Sequence, residues 1–145
     1  MKVEVLIDKN IEEVKVVIHT NELTSEINEL VETIESNEPL KIIGTTDDRK
    51  FLLNKKDIES FYTEDNKTYA RIRENKYKIS YKLYELEQLL AGTTFVRISN
   101  SEIVNFDNID SFSYKDSTIY IYFKSGSYTY VSRRYIPKIK NYLKM

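Results

Sequence analysis

The stretch FVRISNSEIVN, residues 95–105, decides the fold of this chain. Its apolar residues surround a polar loop that contains Arg97, Ser99, Asn100 and Ser101. Further along the chain, the stretch VSRRY at residues 131–135 offers two adjacent guanidinium groups. A polar loop and an arginine pair of this kind are suited to polar edges and to anions such as phosphates.

Length and composition indicate one main domain without catalytic chemistry. The 145 residues suffice for one core and are too few for two full domains. The absence of cysteine and the single histidine exclude disulfides and thiol nucleophiles and leave little for a zinc site. We therefore predict no enzyme, no metal site, no cofactor and no small-molecule substrate. No apolar run reaches the roughly 18 residues of a membrane span, so the sequence predicts a cytoplasmic protein.

Charge is distributed unevenly along the chain. Residues 1–43 carry a net charge of −6, and residues 44–145 carry +5. Residues 124–145 contain six basic residues and no acidic one. This excess is typical of a surface that binds a polyanion. A solvated helix face, balanced by acids elsewhere in the fold, is the alternative that the charges alone leave open.

The acidic segment 1–43 is predicted to form a small appendage of two strands and a helix. Residues 2–7 and 14–19 have the composition of short strands, and residues 22–36 have apolar positions at helical spacing. Asn21 or Thr20 can cap the helix. A piece of this size cannot bury its own apolar faces, so it must pack on the rest of the chain or on a second copy. We expect a dimerisation or regulatory element.

From residue 40 onward the pattern predicts short strands and tight turns, and residues 44–145 are predicted to form the main domain. In residues 118–124, alternation sends one set of side chains (Ile119, Ile121, Phe123) to a buried face and the tyrosines to the other. Pro137 places the start of the last helix near Arg134 or Tyr135, although Ser132 as the cap remains an alternative. The predicted strands are 41–43, 50–53 and 57–62, with hairpins 68–73/76–81 and 118–124/127–131 and a helix at 82–91.

Residues 53–143 resemble the LytTR-type DNA-binding domain of bacterial transcription regulators. The similarity rests on the strand at 57–62, the helix at 83–90, the stretch FVRI at 95–98 with the polar loop after it, and VSRRY at 131–135. The resemblance implies an α+β fold, predominantly antiparallel β and elongated. It also implies that loops, rather than a recognition helix, enter the major groove of double-stranded DNA at repeated promoter motifs.

The resemblance also implies three clusters of DNA-binding residues. They are the loop between the first hairpin strands at residues 64–67, the loop after residues 95–98, and the arginines after residues 131–132. Asparagine can pair with adenine and arginine with guanine, and lysines suit phosphates. Many relatives carry His-Arg where this chain has Ser99-Asn100, so its preferred DNA sequence is expected to differ. The candidate residues are Asn66, Lys67, Arg97, Ser99, Asn100, Ser101, Arg133, Arg134, Lys138 and Lys140.

Structural roles compete with the DNA-binding roles at some of these positions. Asn66 belongs to a residue type that is common in turns, and Arg97 could form a structural ion pair with Glu102 or Asp107. Residues 1–43 are too few for the receiver domain that many relatives carry. We therefore expect control through a membrane protein partner, with residues 1–43 as its docking site or as the contact of a homodimer. A protein-interaction adaptor and a binder of single-stranded nucleic acid or RNA remain the alternative functions.

Overall fold

The computed structural model describes residues 1–35 and 41–145. The chain divides into two units, residues 1–39 and residues 40–145. The predicted boundary at 43/44 lies four residues later along the chain, within the first strand of the second unit. The described helices and strands are α1 Ser25–Glu35, β1 Ile42–Thr46, β2 Arg49–Leu53, β3 Ser60–Glu64, β4 Lys67–Ile72, β5 Asn75–Ile79, α2 Leu83–Leu89, β6 Phe95–Ser99, β7 Glu102–Asn105, β8 Ile109–Lys115, β9 Thr118–Phe123, β10 Tyr128–Tyr130 and α3 Ile136–Leu143.

The first unit contains the predicted helix but not the predicted strands. Helix α1 begins at Ser25, where the Thr24 hydroxyl accepts a hydrogen bond from the Ile27 amide, so the expected caps Asn21 and Thr20 were wrong. Ser36, the predicted last residue, lies outside the described residues. Residues 2–7 and 14–19 form no strand, and their apolar side chains are exposed except for the half-buried Ile18. The strand prediction failed here because an isolated pair of short strands is only marginally stable in water.

Two antiparallel sheets make up the second unit. One has seven strands in the order β2-β1-β5-β4-β3-β7-β6, and the other has three in the order β10-β9-β8. The expectation of an α+β fold dominated by antiparallel strands is confirmed. The predicted strand 57–62 begins only at Ser60, because Asn54 caps a 3-10 turn over Lys55–Asp57. The predicted alternation in β9 is confirmed, since Ile119, Ile121 and Phe123 are buried.

Strands β6 and β7 lie between two apolar cores. In the first core, Leu83, Leu86 and Leu90 of the α2 region pack on the seven-stranded sheet, and Ile103 of β7 joins them. In the second core, Val104 of β7 packs with the inner face of the three-stranded sheet and with α3. The remaining residues of the second core are Val96, Ile98, Ile119, Ile121, Phe123, Val131 and Ile139. Apolar contacts on both faces fix the β6–β7 hairpin firmly.

The C-terminal segment enters its helix through a 3-10 turn. Arg133–Tyr135 form this turn, and α3 begins at Ile136 with Pro137 in its first turn. The predicted start at Arg134 or Tyr135 was early by one or two residues. The alternative with Pro137 in the second turn of the helix was wrong. A proline in the first turn loses no helical hydrogen bond, which explains where the helix starts.

Candidate nucleic-acid interface

The β3–β4 hairpin ends in a free two-residue turn. Asp65 and Asn66 have φ values of 50° and 62°, the left-handed pair that a type I′ turn requires. Lys67 begins β4 opposite Glu64. The side chains of Asn66 and Lys67 are exposed. The sequence-predicted turn role of Asn66 is therefore confirmed, and its side chain is also free to meet a ligand.

The β6–β7 loop is held by its own polar groups. A bulge between Arg97 and Ser99 shifts the register of the two strands. The Ser99 hydroxyl accepts a hydrogen bond from the Ser101 amide at 3.2 Å. The backbone carbonyl of Ser101 in turn accepts a hydrogen bond from the Thr63 amide at 2.9 Å. This last bond ties the loop directly to the end of β3.

Arg97 braces the loop from behind. Its Nε donates to Ser99 O at 3.0 Å, and its Nη2 donates to Asn100 O at 2.7 Å. Its Nη1 lies 3.2 Å from the Glu87 carboxylate of α2. The expected structural partners, Glu102 and Asp107, were wrong. A guanidinium that holds two carbonyls and one carboxylate fixes both the backbone and the helix beside it.

Asn100 stands at the tip of the loop with its side chain also held. The Tyr135 hydroxyl donates to Asn100 Oδ1 at 3.1 Å. Tyr135 follows Arg134 in the 3-10 turn, and its ring packs against the second core. The backbone makes a second link, since the Ser132 amide donates to Ile98 O at 3.0 Å. The third cluster is thus attached to the second.

The cations of the third cluster differ in how free they are. Arg133 and Arg134 are exposed, and neither forms an ion pair in the part of the chain that the structure describes. Lys138 is exposed, with its Nζ 6.0 Å from the centre of the Tyr135 ring. Lys140 instead places its Nζ 4.2 Å from the centre of the Tyr114 ring, on the three-stranded sheet. Lys138 is therefore linked to the loop through Tyr135, whereas Lys140 is committed to another contact.

Hydrogen bonds connect the second cluster to the third cluster and to the strand that leads into the first. The end of β3 bonds to the β6–β7 loop through Thr63, and this loop bonds to the 3-10 turn that carries the arginines. Sequence reasoning missed Thr63 and Tyr135, which make these links, and Glu87, which holds Arg97. Tyr135 adjoins the arginine pair in the sequence, but nothing local signals that its hydroxyl reaches a loop 35 positions away.

Glu102, directly after the loop, has a shifted pKa. Burial raises the pKa of Glu102 above its ordinary value, and a hydrogen bond from the Thr129 hydroxyl to Oε1, 2.6 Å long, opposes this shift. The bond connects the seven-stranded sheet to β10. In residues 1–35 and 41–145, no group of three or more acidic, histidine or cysteine side chains is placed to hold a metal ion. No described helix is long and apolar enough to cross a membrane.

Polar loops grouped with exposed arginines and lysines on a β-rich domain are typical of a nucleic-acid-binding module. The model of the LytTr DNA-binding domain matches residues 48–144, and the chain belongs to this family. The solved LytTr DNA-binding domain from Bacillus cereus aligns with a TM-score of 0.69 and 25% identity, covering 74% of this chain and 100% of that one. The resemblance inferred from the sequence is confirmed.

Proteins of Staphylococcus aureus align with this chain over nearly its whole length. Proteins of strains NCTC 8325 / PS 47 and COL, each named an uncharacterized HTH-type transcriptional regulator, are 30% identical over 145 residues. Each alignment covers 99% of this chain and 98% of the relative. The similarity therefore includes the first unit as well as the DNA-binding domain.

The described elements of this chain contain no helix-turn-helix pair. Five strands separate α1 from α2, and five more separate α2 from α3. Of the ten candidate residues, Asn66, Asn100 and Ser101 lie in the β3–β4 and β6–β7 connections. The others lie in the strands that these connections join (Lys67, Arg97, Ser99), in the 3-10 turn (Arg133, Arg134) and in α3 (Lys138, Lys140).

Proposed function

We propose that this protein is a transcription regulator that recognises specific double-stranded DNA by inserting loops into the major groove at repeated promoter motifs. The observation that carries the proposal is that hydrogen bonds tie the β6–β7 loop both to the end of β3, one residue before the segment 64–67, and to the 3-10 turn that carries the arginines. Preorganised polar side chains at fixed positions are what base recognition requires, because each good contact must meet one base edge.

The proposed contacts divide into base recognition and phosphate binding. Asn66, Asn100 and Arg134 suit base edges, because an amide or a guanidinium can match the donors and acceptors of one base. Lysines and the loop serines suit phosphates, which fix register without carrying sequence information. The proposed phosphate contacts are Lys67, Arg97, Ser99, Ser101, Arg133, Lys138 and Lys140. Arg97 also acts through the loop that it braces.

The first unit is proposed to bind a protein partner. Val3, Leu6 and Val14 are 79–90% exposed, and α1 has no buried residue. Large apolar side chains left in water favour association with another surface. A second copy of the chain and a regulatory membrane protein are the two partners that we propose for it.

A selection from random duplexes tests the proposed function. Purified full-length protein should enrich a short motif, and anisotropy should then show tighter binding to the enriched duplex than to a scrambled one. Specific complexes typically exceed non-specific ones by about a thousandfold or more. Affinity should fall steeply with salt, because phosphate contacts release counterions. Equal binding to the enriched and scrambled duplexes would overturn sequence recognition.

A protein-interaction adaptor is the second candidate function, and one surface favours it. The outer face of the three-stranded sheet exposes Tyr122, Tyr128 and Tyr130, with ring centres of Tyr122 and Tyr128 6.2 Å apart. Exposed tyrosines are common in protein interfaces. This function predicts no affinity for duplex DNA even at low salt, so the same anisotropy measurement separates the two candidates.

A further inference from the structure

In the side-chain amide of Asn100, the oxygen is hydrogen-bonded within the protein and the nitrogen is available to a ligand. Its Oδ1 accepts the hydrogen bond from the Tyr135 hydroxyl at 3.1 Å. Among the described residues, its Nδ2 has no hydrogen-bond partner. Since a carboxamide is planar, fixing Oδ1 toward Tyr135 turns the two N–H donors away from it. Asn100 is exposed, so these donors face solvent at the tip of the loop.

Tyr135 is itself well fixed, so it can impose this orientation. Its ring is partly buried against the second core. Its amide donates to Ser132 O at 2.9 Å within the 3-10 turn. The backbone of Asn100 is fixed independently by Arg97, which donates to its carbonyl at 2.7 Å. Both ends of the tyrosine–asparagine contact are therefore anchored to the rigid part of the domain.

We propose that Tyr135 is a positioning residue that makes Asn100 a donor toward DNA, and this inference rests on the proposed function. An unconstrained asparagine pairs with adenine by donating to N7 and accepting from N6. Here Oδ1 is turned toward Tyr135 and already accepts one hydrogen bond from its hydroxyl, so the groups that Asn100 presents to a base are its two Nδ2 donors. The bases with acceptors and no donor in the major groove are guanine, through N7 and O6, and thymine, through O4.

The test is a base-substitution profile of the enriched duplex. Every position is changed to each other base pair, and anisotropy is measured for the wild type, Asn100→Ala, Tyr135→Phe and the control Tyr128→Phe. Asn100→Ala should lose the base preference at one position of the duplex, and that position identifies the base that Asn100 contacts. Tyr128→Phe removes a tyrosine hydroxyl from the outer face of the three-stranded sheet, where the Tyr128 ring lies beside that of Tyr122. Thermal melting of each variant separates loss of preference from loss of folding.

We expect guanine or thymine at the Asn100 position. Tyr135→Phe should weaken the preference there by about three- to tenfold, the worth of one hydrogen bond, and leave other positions and the scrambled duplex unchanged. Tyr128→Phe should leave the profile unchanged. Asn100→Asp, which keeps the Tyr135 contact and loses the donors, should abolish the preference for an acceptor base.

Two results would overturn the inference without touching the proposed function. One is a preference for adenine or cytosine at the Asn100 position that depends on the exocyclic amino group of the base. In that case, replacing the base with purine or pyrimidin-2-one, which lack this group, would lower the affinity as much as Asn100→Ala does. The other is a Tyr135→Phe profile identical to that of the wild type. Failure to enrich any duplex would overturn both the inference and the proposed function.

Discussion

Two asparagines at the same interface are held in opposite ways. Asn66 occupies a two-residue turn with φ of 62°, and its backbone geometry alone fixes it. Asn100 lies in a loop where Arg97 holds its carbonyl and Tyr135 holds its amide. The β3–β4 turn is thus stabilised locally, whereas the β6–β7 loop is stabilised by residues from distant parts of the chain.

This difference suggests different contributions to DNA recognition. A side chain whose orientation is set before binding loses little entropy on contact and rejects a mismatched base strongly. A free side chain adapts to more than one base and discriminates less. We therefore expect sequence preference to come chiefly from Asn100, with Asn66 contributing less.

The largest expected effect comes from removing the two asparagine side chains in turn. Asn100→Ala should lower the ratio of specific to scrambled affinity by about 1–3 kcal/mol, the worth of one good base contact. Asn66→Gly, which keeps the turn geometry, should lower it by less than about 1 kcal/mol. Anisotropy with both duplexes measures each ratio. A larger loss for Asn66→Gly would reverse the proposed order.

The next effect separates bracing from phosphate binding at Arg97. Arg97→Lys keeps the positive charge but loses the planar fork that holds two carbonyls. We expect a loss of about 1 kcal/mol in affinity for the enriched duplex, with the salt dependence unchanged. Arg97→Ala loses the charge as well, so it should bind less tightly than Arg97→Lys and show a weaker salt dependence. If Arg97→Lys binds like the wild type, the charge and not the brace is what matters.

A stability experiment tests the local character of the β3–β4 turn. Asn66→Ala should reduce the free energy of unfolding by about 1 kcal/mol, because alanine resists a positive φ. Asn66→Gly should be no less stable than the wild type, since glycine adopts this conformation freely. Urea denaturation of the two variants measures the difference. Equal stability of the alanine and glycine variants would mean that the turn conformation is not what constrains residue 66.

The smallest expected effect concerns Glu102, which follows the held loop. Its pKa is raised by burial, so the folded protein binds the proton more tightly than the unfolded chain. The stabilisation of the folded protein by protonated Glu102 is fully present below the ordinary pKa of 4.5. It is lost as the pH rises through the raised pKa of the folded state.

Glu102→Gln should therefore stabilise the protein at neutral pH by less than about 1 kcal/mol and make no difference in acid. Glu74→Gln, in the exposed β4–β5 turn, is the control. Thermal melting between pH 4 and 7, which starts below the ordinary pKa of 4.5 and extends above it, measures both. A destabilised Glu102→Gln at neutral pH would show that the charged carboxylate is favourable where it lies.

The sequence predicted features that depend on neighbouring residues and missed those that depend on distant ones. The alternation in β9 and the glycine turn after it are local, and the structure contains both. Arg97 pairs with Glu87 of α2 rather than with Glu102 or Asp107, because the packing of α2 on the sheet brings Glu87 near. The Tyr135–Asn100 contact likewise depends on how α3 packs. The strands predicted at 2–7 and 14–19 were wrong because strand formation needs a partner surface.

Methylation interference on the enriched duplex tests most directly whether loops of this domain enter the major groove. Dimethyl sulfate modifies guanine N7 in the major groove and adenine N3 in the minor groove, which carry different recognition groups. The account predicts that duplexes methylated at guanine N7 within the motif are excluded from the bound fraction, whereas those methylated at adenine N3 are retained. Exclusion at adenine N3 together with retention at guanine N7 would contradict it.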